Sequence, residues 1–278
     1  AAYLGAGCLV AVVLGAVLMG ASPLVDSVLP YLSASDSASE AASSYFTVRM
    51  MGVIPLLVFV AFREFGYGCG NSTLPMMASV AGNMLNVVLD YIFIVELEMG
   101  VAGAAWATVA GACLEASVML VAMRNLLPQL RSMESRHLKA IWDIGLPSGL
   151  QFTLEMGSFT LLAVMISRLD EVEMASHQVA LQVIHFAFLP AVAFGEAASV
   201  MVGEAIGASR DKLVTPISWL TAKLVTAYMS LCGVVLVIFG RDIASLFVSE
   251  EAFVERTMAL FYVACVFLFF DGTNIVSR

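Results

Sequence analysis

Two carboxylates interrupt apolar runs of this 278-residue sequence, Glu155 in "LPSGLQFTLEMGSF" and Asp271 in "FYVACVFLFFDGTN". An ionised side chain at bilayer depth costs at least about 2.5–3.5 kcal/mol even on insertion-based scales, so acids in membrane-spanning runs are functional-site candidates by default. Ser148 and Gln151 precede Glu155 by seven and four residues and Ser158 follows it by three, which places them on its helical face, with Phe152 and Phe159 beside them. Phe267 stands four residues before Asp271, and Asn274 three after it. Two carboxylates facing one interior cavity either share a proton, because desolvation and like charge oppose double ionisation, or hold a desolvated Na⁺ between them. Either arrangement is a cation site built from Glu155 and Asp271.

The composition explains why these runs are read as spans. Hydrophobic residues make up 60% and charged residues 13%, against roughly 45–50% and 25% in soluble domains, and the mean hydropathy is +0.93. Eight apolar segments, near 2–30, 44–66, 73–95, 101–123, 140–167, 176–206, 213–240 and 257–278, approach or exceed the roughly 20 residues that span a bilayer. The fold class is therefore all-α, a polytopic transmembrane helix bundle of about eight helices. The first segment has no basic flank and no small-residue cleavage site, so it reads as a retained span. A net charge of −9 argues against nucleic acid and against a polybasic lipid anchor. Cys8, Cys69, Cys113, Cys232 and Cys265 are single, without a CxxC pair or a His neighbour at ligand spacing, and read as small core residues. The three scattered histidines add no metal centre of the tetrahedral type.

Orientation follows from the connectors. Arg63, the group Arg124, Arg131, Arg136 and Lys139, and the pair Arg210 and Lys212 lie in the even-numbered connectors, whereas the others hold Arg168, Arg241 and Arg256. Positive charge is retained on the cytoplasmic side, which puts the even connectors and residue 1 there. An internal repeat is also visible: "GASPLVDSVLP" with the Tyr45 helix, and "FGRDIASLFVSEE" with the Tyr262 helix, share the plan of apolar helix, amphipathic turn, acidic connector and second helix. Repeated halves around a midplane site are a common plan of secondary transporters.

Specific residues then resemble a known family. The run "MASHQVALQVIHFAFLPAVAFGEAASVMVGEAIGASR" (174–210) resembles the eighth helix of the multidrug and toxic compound extrusion (MATE) transporters, and "WDIGLPSGLQFTLEMGSF" (142–159) resembles the seventh. The stretch "REFGYGCGNSTLP…GNMLNVVLDYIFI…MGVAGAAWATVAG" is similar to the end of helix four, helix five and the start of helix six. The resemblance implies two pseudo-repeated lobes of six helices each. This chain would carry helices three to ten, truncated at both ends, with residues 1–127 a partial N-terminal lobe and 128–278 a partial C-terminal lobe. It also implies an antiporter that exports organic, cationic or amphipathic compounds in exchange for Na⁺ or H⁺, with substrate in a central cleft and no other cofactor. Family acids on helices seven and ten fall on Glu155 and Asp271, where Na⁺ would bind; Gln151, Phe152, Phe267 and Asn274 are the weaker substrate-contact candidates. Some relatives have Tyr where Phe267 stands, so a hydroxyl ligand is absent at that place. The expected setting is the cell (inner) membrane, as a multi-pass monomer whose partners are small organic substrates and lipid.

The remaining intramembrane polar residues carry less specific expectations. Glu115 and Glu196 lie deep in the fourth and sixth segments without matched partners; Asp90, Glu204, His177 and Gln178 read as end, capping or packing residues. Arg49 is expected to snorkel outward, and Asn83 and Asn86 to hydrogen-bond between helices. Pro55, Pro75, Pro147 and Pro190 are expected to interrupt helices. The rival functions are a lipid-linked precursor flippase of a related fold, for which interior Lys and Arg are few; an intramembrane hydrolase using the two acids, for which no helper nucleophile is found, so the chain is read as no enzyme; and a non-transporting receptor.

Overall fold

A computed structural model describes residues 1–32, 36–166, 170–247 and 250–277. Among these the chain is helical throughout, with helices α1 (Ala2–Leu32), α2 (Asp36–Met51), α3 (Val53–Gly68), α4 (Thr73–Asp90), α5 (Gly100–Ala122), α6 (Ser135–Ile166), α7 (Glu171–Gly207), α8 (Val214–Ser245) and α9 (Glu251–Ser277). Seven helices are long and apolar enough to cross a membrane. The bent pair Ser39–Met51 and Val53–Gly68, at 48°, would make an eighth span. Helices are the expected solution, because hydrocarbon offers no partner to a backbone N–H or C=O and a helix closes those bonds within itself.

Several boundaries differ from the sequence expectation. The second apolar segment is two helices broken at Gly52, where a Cβ would lie 2.9 Å from Val109 Cγ2, so the kinked backbone sits directly against α5. The polar stretch read as a connector after α1 is helical from Asp36 onward, and α1 itself continues through the amphipathic "PLVDSVL" to Leu32. Its counterpart in the second half does turn, with α8 ending at Ser245. Pro55 and Pro75 occupy the first turns of α3 and α4, where a missing N–H costs nothing; Pro147 and Pro190 lie inside continuous α6 and α7. The expected interruptions are therefore at Gly52, not at these prolines. Arg168, which entered the orientation argument, lies outside the described residues.

Two compact units are formed, Ala1–Pro147 and Ser148–Arg278. In the first, Leu4, Phe59, Phe62, Ala78, Ala116 and Met119 build a buried core between α1, α3, α4 and α5. The start of α6 belongs to this unit, with His137 edge-on to Tyr3 at 4.7 Å between ring centroids. In the second, Val225, Met229, Leu236, Phe253, Phe261 and Leu268 pack α7, α8 and α9 together with the alanines Ala180, Ala187 and Ala191. Lipid tails are as apolar as leucine, so close approach rather than water exclusion drives such packing, and small residues permit it. Gly233 and Gly240 provide it on α8: a Cβ at either would lie 2.9 Å from Cys265 Sγ or 2.8 Å from Met258 Sδ of α9. By contrast, nothing from residue 138 to 166 on α6 is buried.

These contacts predict that Gly233→Val, which overpacks the α8–α9 seam, destabilises the chain by about 1–3 kcal/mol. Thermal unfolding in detergent should show a lowered midpoint for Gly233→Val, and none for Gly157→Val on α6, where a Cβ meets open space.

Candidate functional site

The six residues singled out by sequence all fall in the second unit. Asp271 is buried on α9, at 7% exposure, and Glu155 is half-buried on α6. The carriers of the two acids meet at an aromatic pair: Phe159 and Phe267 stand edge to face, with centroids 6.5 Å apart and planes at 89°, a geometry favoured by the ring quadrupoles. Phe159 lies one turn after Glu155, and Phe267 one turn before Asp271. Each acid stands one helical turn, about 6 Å along its own helix axis, from the ring on its helix.

The weaker candidates are arranged around this level. Phe267 is partly exposed and contributes the ring contact in place of the hydroxyl that a tyrosine would bring. Asn274 is exposed on α9; Gln151 and Phe152 are exposed on α6, one turn beyond Glu155. The serine stripe is less available than its spacing implies. Ser158 Oγ donates to the Leu154 carbonyl at 2.8 Å and Thr153 Oγ1 to the Gly149 carbonyl at 2.8 Å, so these hydroxyl protons are spent on α6 itself. Their oxygens still have acceptor capacity for a cation.

A second polar locus was only partly visible beforehand. In the first unit, Arg49, Leu56, Gly82, Asn83, Asn86, Thr108, Gly111, Ala112 and Glu115 line a cavity of about 140 Å³. Arg49 does not snorkel outward: its Nη1 atom is buried and has no hydrogen-bond partner, a state that ordinarily costs about 1–3 kcal/mol or more for a charged group. Asn86 Nδ2 reaches Thr108 Oγ1 of α5 at 3.5 Å, the interhelical bond expected, whereas Asn83 turns back to the Ser79 carbonyl at 2.8 Å. Glu115 lines the same cavity as Arg49, a juxtaposition that sequence spacing gave no sign of. Only the arginine and the acid, each costly in lipid, could have flagged this cavity from sequence.

The description of the MatE family matches residues 1–92 and 147–278. The chain belongs to the MatE family. Two curated relatives named "Probable multidrug resistance protein NorM" align along most of it: that of Pseudomonas syringae pv. tomato is 26% identical over 91% of this chain and 59% of its own length; that of Bradyrhizobium diazoefficiens is 28% identical over 93% and 59%. A solved structure of a MOP superfamily transporter from Pyrococcus furiosus superposes with a TM-score of 0.86 at 22% identity, covering 99% of this chain and 64% of that one. The MatE chain thus spans about three fifths of the curated relatives' length, and it is a multi-pass membrane protein of the all-helical MATE fold. Residues 93–146, which include Thr108 and Glu115, lie outside the matched ranges.

The ring pair that joins α6 to α9 is testable by itself. Phe159→Leu and Phe267→Leu should each lower stability, and the double variant should show a coupling of about 0.5–1.5 kcal/mol by thermal unfolding in detergent. Strict additivity would mean that the rings do not interact.

Proposed function

We propose that the whole protein of which this MatE chain is part is a secondary antiporter of the cell (inner) membrane. It exports small organic compounds, cationic or amphipathic, in exchange for Na⁺ or H⁺, and acts as a monomer. The observation that supports this reading is the meeting of α6 and α9 at Phe159 and Phe267, each one turn along its helix from Glu155 or Asp271. Relatives named as multidrug resistance proteins support the export of organic compounds.

The mechanism follows from electrostatics. Two carboxylates that face one low-dielectric interior repel when both are ionised. Arrival of a proton or Na⁺ cancels that repulsion and favours closer approach of α6 to α9. Departure reverses it. If the organic cation binds better when the acids are uncompensated, cation and drug are linked reciprocally, with a coupling free energy of about 1–3 kcal/mol in typical cases. A Na⁺ shared by Glu155 and Asp271 would take its remaining ligands from neutral oxygens such as the Ser158 hydroxyl. Gln151, Phe152, Phe267 and Asn274 then contact the organic substrate, the aromatic rings through cation–π attraction. A flippase of lipid-linked precursors would call for a strongly cationic cavity, and the cavity of the first unit instead sets Glu115 with Arg49.

The test is efflux of a fluorescent organic cation from cells expressing the full-length parent, under imposed Na⁺ or pH gradients. Glu155→Gln and Asp271→Asn should each reduce gradient-driven efflux by on the order of tenfold or more at unchanged expression, and the gradient that drives the parent identifies the ion. Export that continues at the parental, cation-dependent rate with both acids neutralised would defeat the proposal.

A further inference from the structure

Ahead of α6 the chain passes through the short helical turn Arg124–Ser132 and the extended residue Met133. This stretch is fastened to α1 at two places. Gly5 abuts the Leu130 carbonyl so closely that a Cβ would not fit, and the Tyr3 ring meets His137 edge-on at 4.7 Å between centroids. His137 is the only buried residue of α6.

The imidazole is also bonded to the backbone. Its Nδ1 accepts the Glu134 N–H at 3.0 Å, while the His137 N–H donates to the Glu134 carbonyl at 3.0 Å. Glu134 stands just before α6, and His137 is the third residue of that helix. The arrangement is that of a capping box, in which the third helical residue reaches back to the backbone N–H of the residue before the helix, and in which glutamate or glutamine ordinarily supplies the acceptor. Histidine differs in one respect. The lone pair that accepts the N–H is the one a proton takes, and an imidazolium has donors only.

We propose that His137 is a proton-operated latch between the start of α6 and α1. Neutral, the ring closes the box and seats the first turn of α6 against Tyr3. Protonated, it loses the Glu134 N–H and sets a positive charge at the positive end of the helix dipole, and the first turn of α6 opens. The ionisable groups on the elements packed here are Tyr3 on α1, where no charged residue precedes Asp26, then Arg124 and Arg131 in the turn, and Glu134, Arg136 and Lys139 at the start of α6. Glu134 is the single carboxylate among them, and it is paired with Arg136 at 3.0 Å. Cations therefore outnumber the anion that could hold an imidazolium in place. Histidine is the side chain that ordinarily changes charge between pH 5 and 8, so the latch opens as pH falls. The latch involves neither Glu155 nor Asp271, and goes beyond the antiport reading.

Hydrogen–deuterium exchange of the purified full-length parent in detergent, at pH 5.5 and 8 and scaled for intrinsic exchange, tests it on the peptide spanning 133–142. Scaled exchange there should be about fivefold faster at pH 5.5, the factor that a typical cap is worth. His137→Gln keeps an acceptor that takes no proton in this interval, and should exchange at the slow rate at both pH values. Glu134→Pro removes the donated N–H, and should exchange at the fast rate at both. Equal scaled exchange at the two pH values in the parent overturns the proposal without recourse to any variant. So does a pH response that survives in His137→Gln or in Glu134→Pro, or one spread evenly over all the helices. The readout involves no transport, so its failure leaves the antiport reading as it stands, and a parent that exports nothing leaves the latch as it stands.

Discussion

Hydrocarbon solvates neither a peptide group nor a charge, and nearly every feature of this chain answers to that constraint. Backbone groups close within helices. Thr153, Ser158, Thr160, Ser218 and Ser230 turn their hydroxyls onto carbonyls four residues back in their own helices. The ion pairs Arg63–Glu64, Glu134–Arg136, Arg241–Glu251 and Glu173–Arg256 stand towards helix ends and in connectors, each with at least one well-exposed partner. What remains at depth is a short set of charges, among them Asp271 and Glu155 in the second unit and Arg49 and Glu115 in the first.

Packing supplies the precision that polar bonds do not. Where α8 meets α9, glycine faces cysteine, methionine and phenylalanine, and Gly272 of α9 receives Met229 of α8 at 3.3 Å from a notional Cβ. Where α4 meets α5, Gly82 and Gly111 bring the helices close enough for Glu115 to lie across the seam. The same device thus serves opposite ends: in one unit it welds apolar helices, in the other it makes space for a carboxylate.

The helical class and the apolar segments were legible because each rests on local chemistry: mean hydropathy and segment length. Boundaries were less so. Residues 36–44 are polar and were read as a connector, yet they continue as α2, since helix formation there follows from the neighbouring span and not from an apolar stripe. Pro55 and Pro75 were read as breaks because sequence alone does not say that a helix starts two residues earlier. The inward turn of Arg49 depends on the bend at Gly52 and on contact with α5, both tertiary facts. Ser158 was placed correctly on the face of Glu155, but its proton had a nearer taker in the Leu154 carbonyl.

The unequal burial of α6 and α9 has a mechanical consequence. Asp271 belongs to a helix clamped between α7 and α8, whereas Glu155 rides on a helix with no buried side chain from residue 138 onward. A force acting equally on both carboxylates displaces the less constrained carrier. On the antiport reading proposed above, and in the terms of an electromechanical relay, α9 would be the fixed plate and α6 the armature, so that discharging the pair would be converted into travel of one helix, with the Phe159–Phe267 contact as the stop against which it comes to rest.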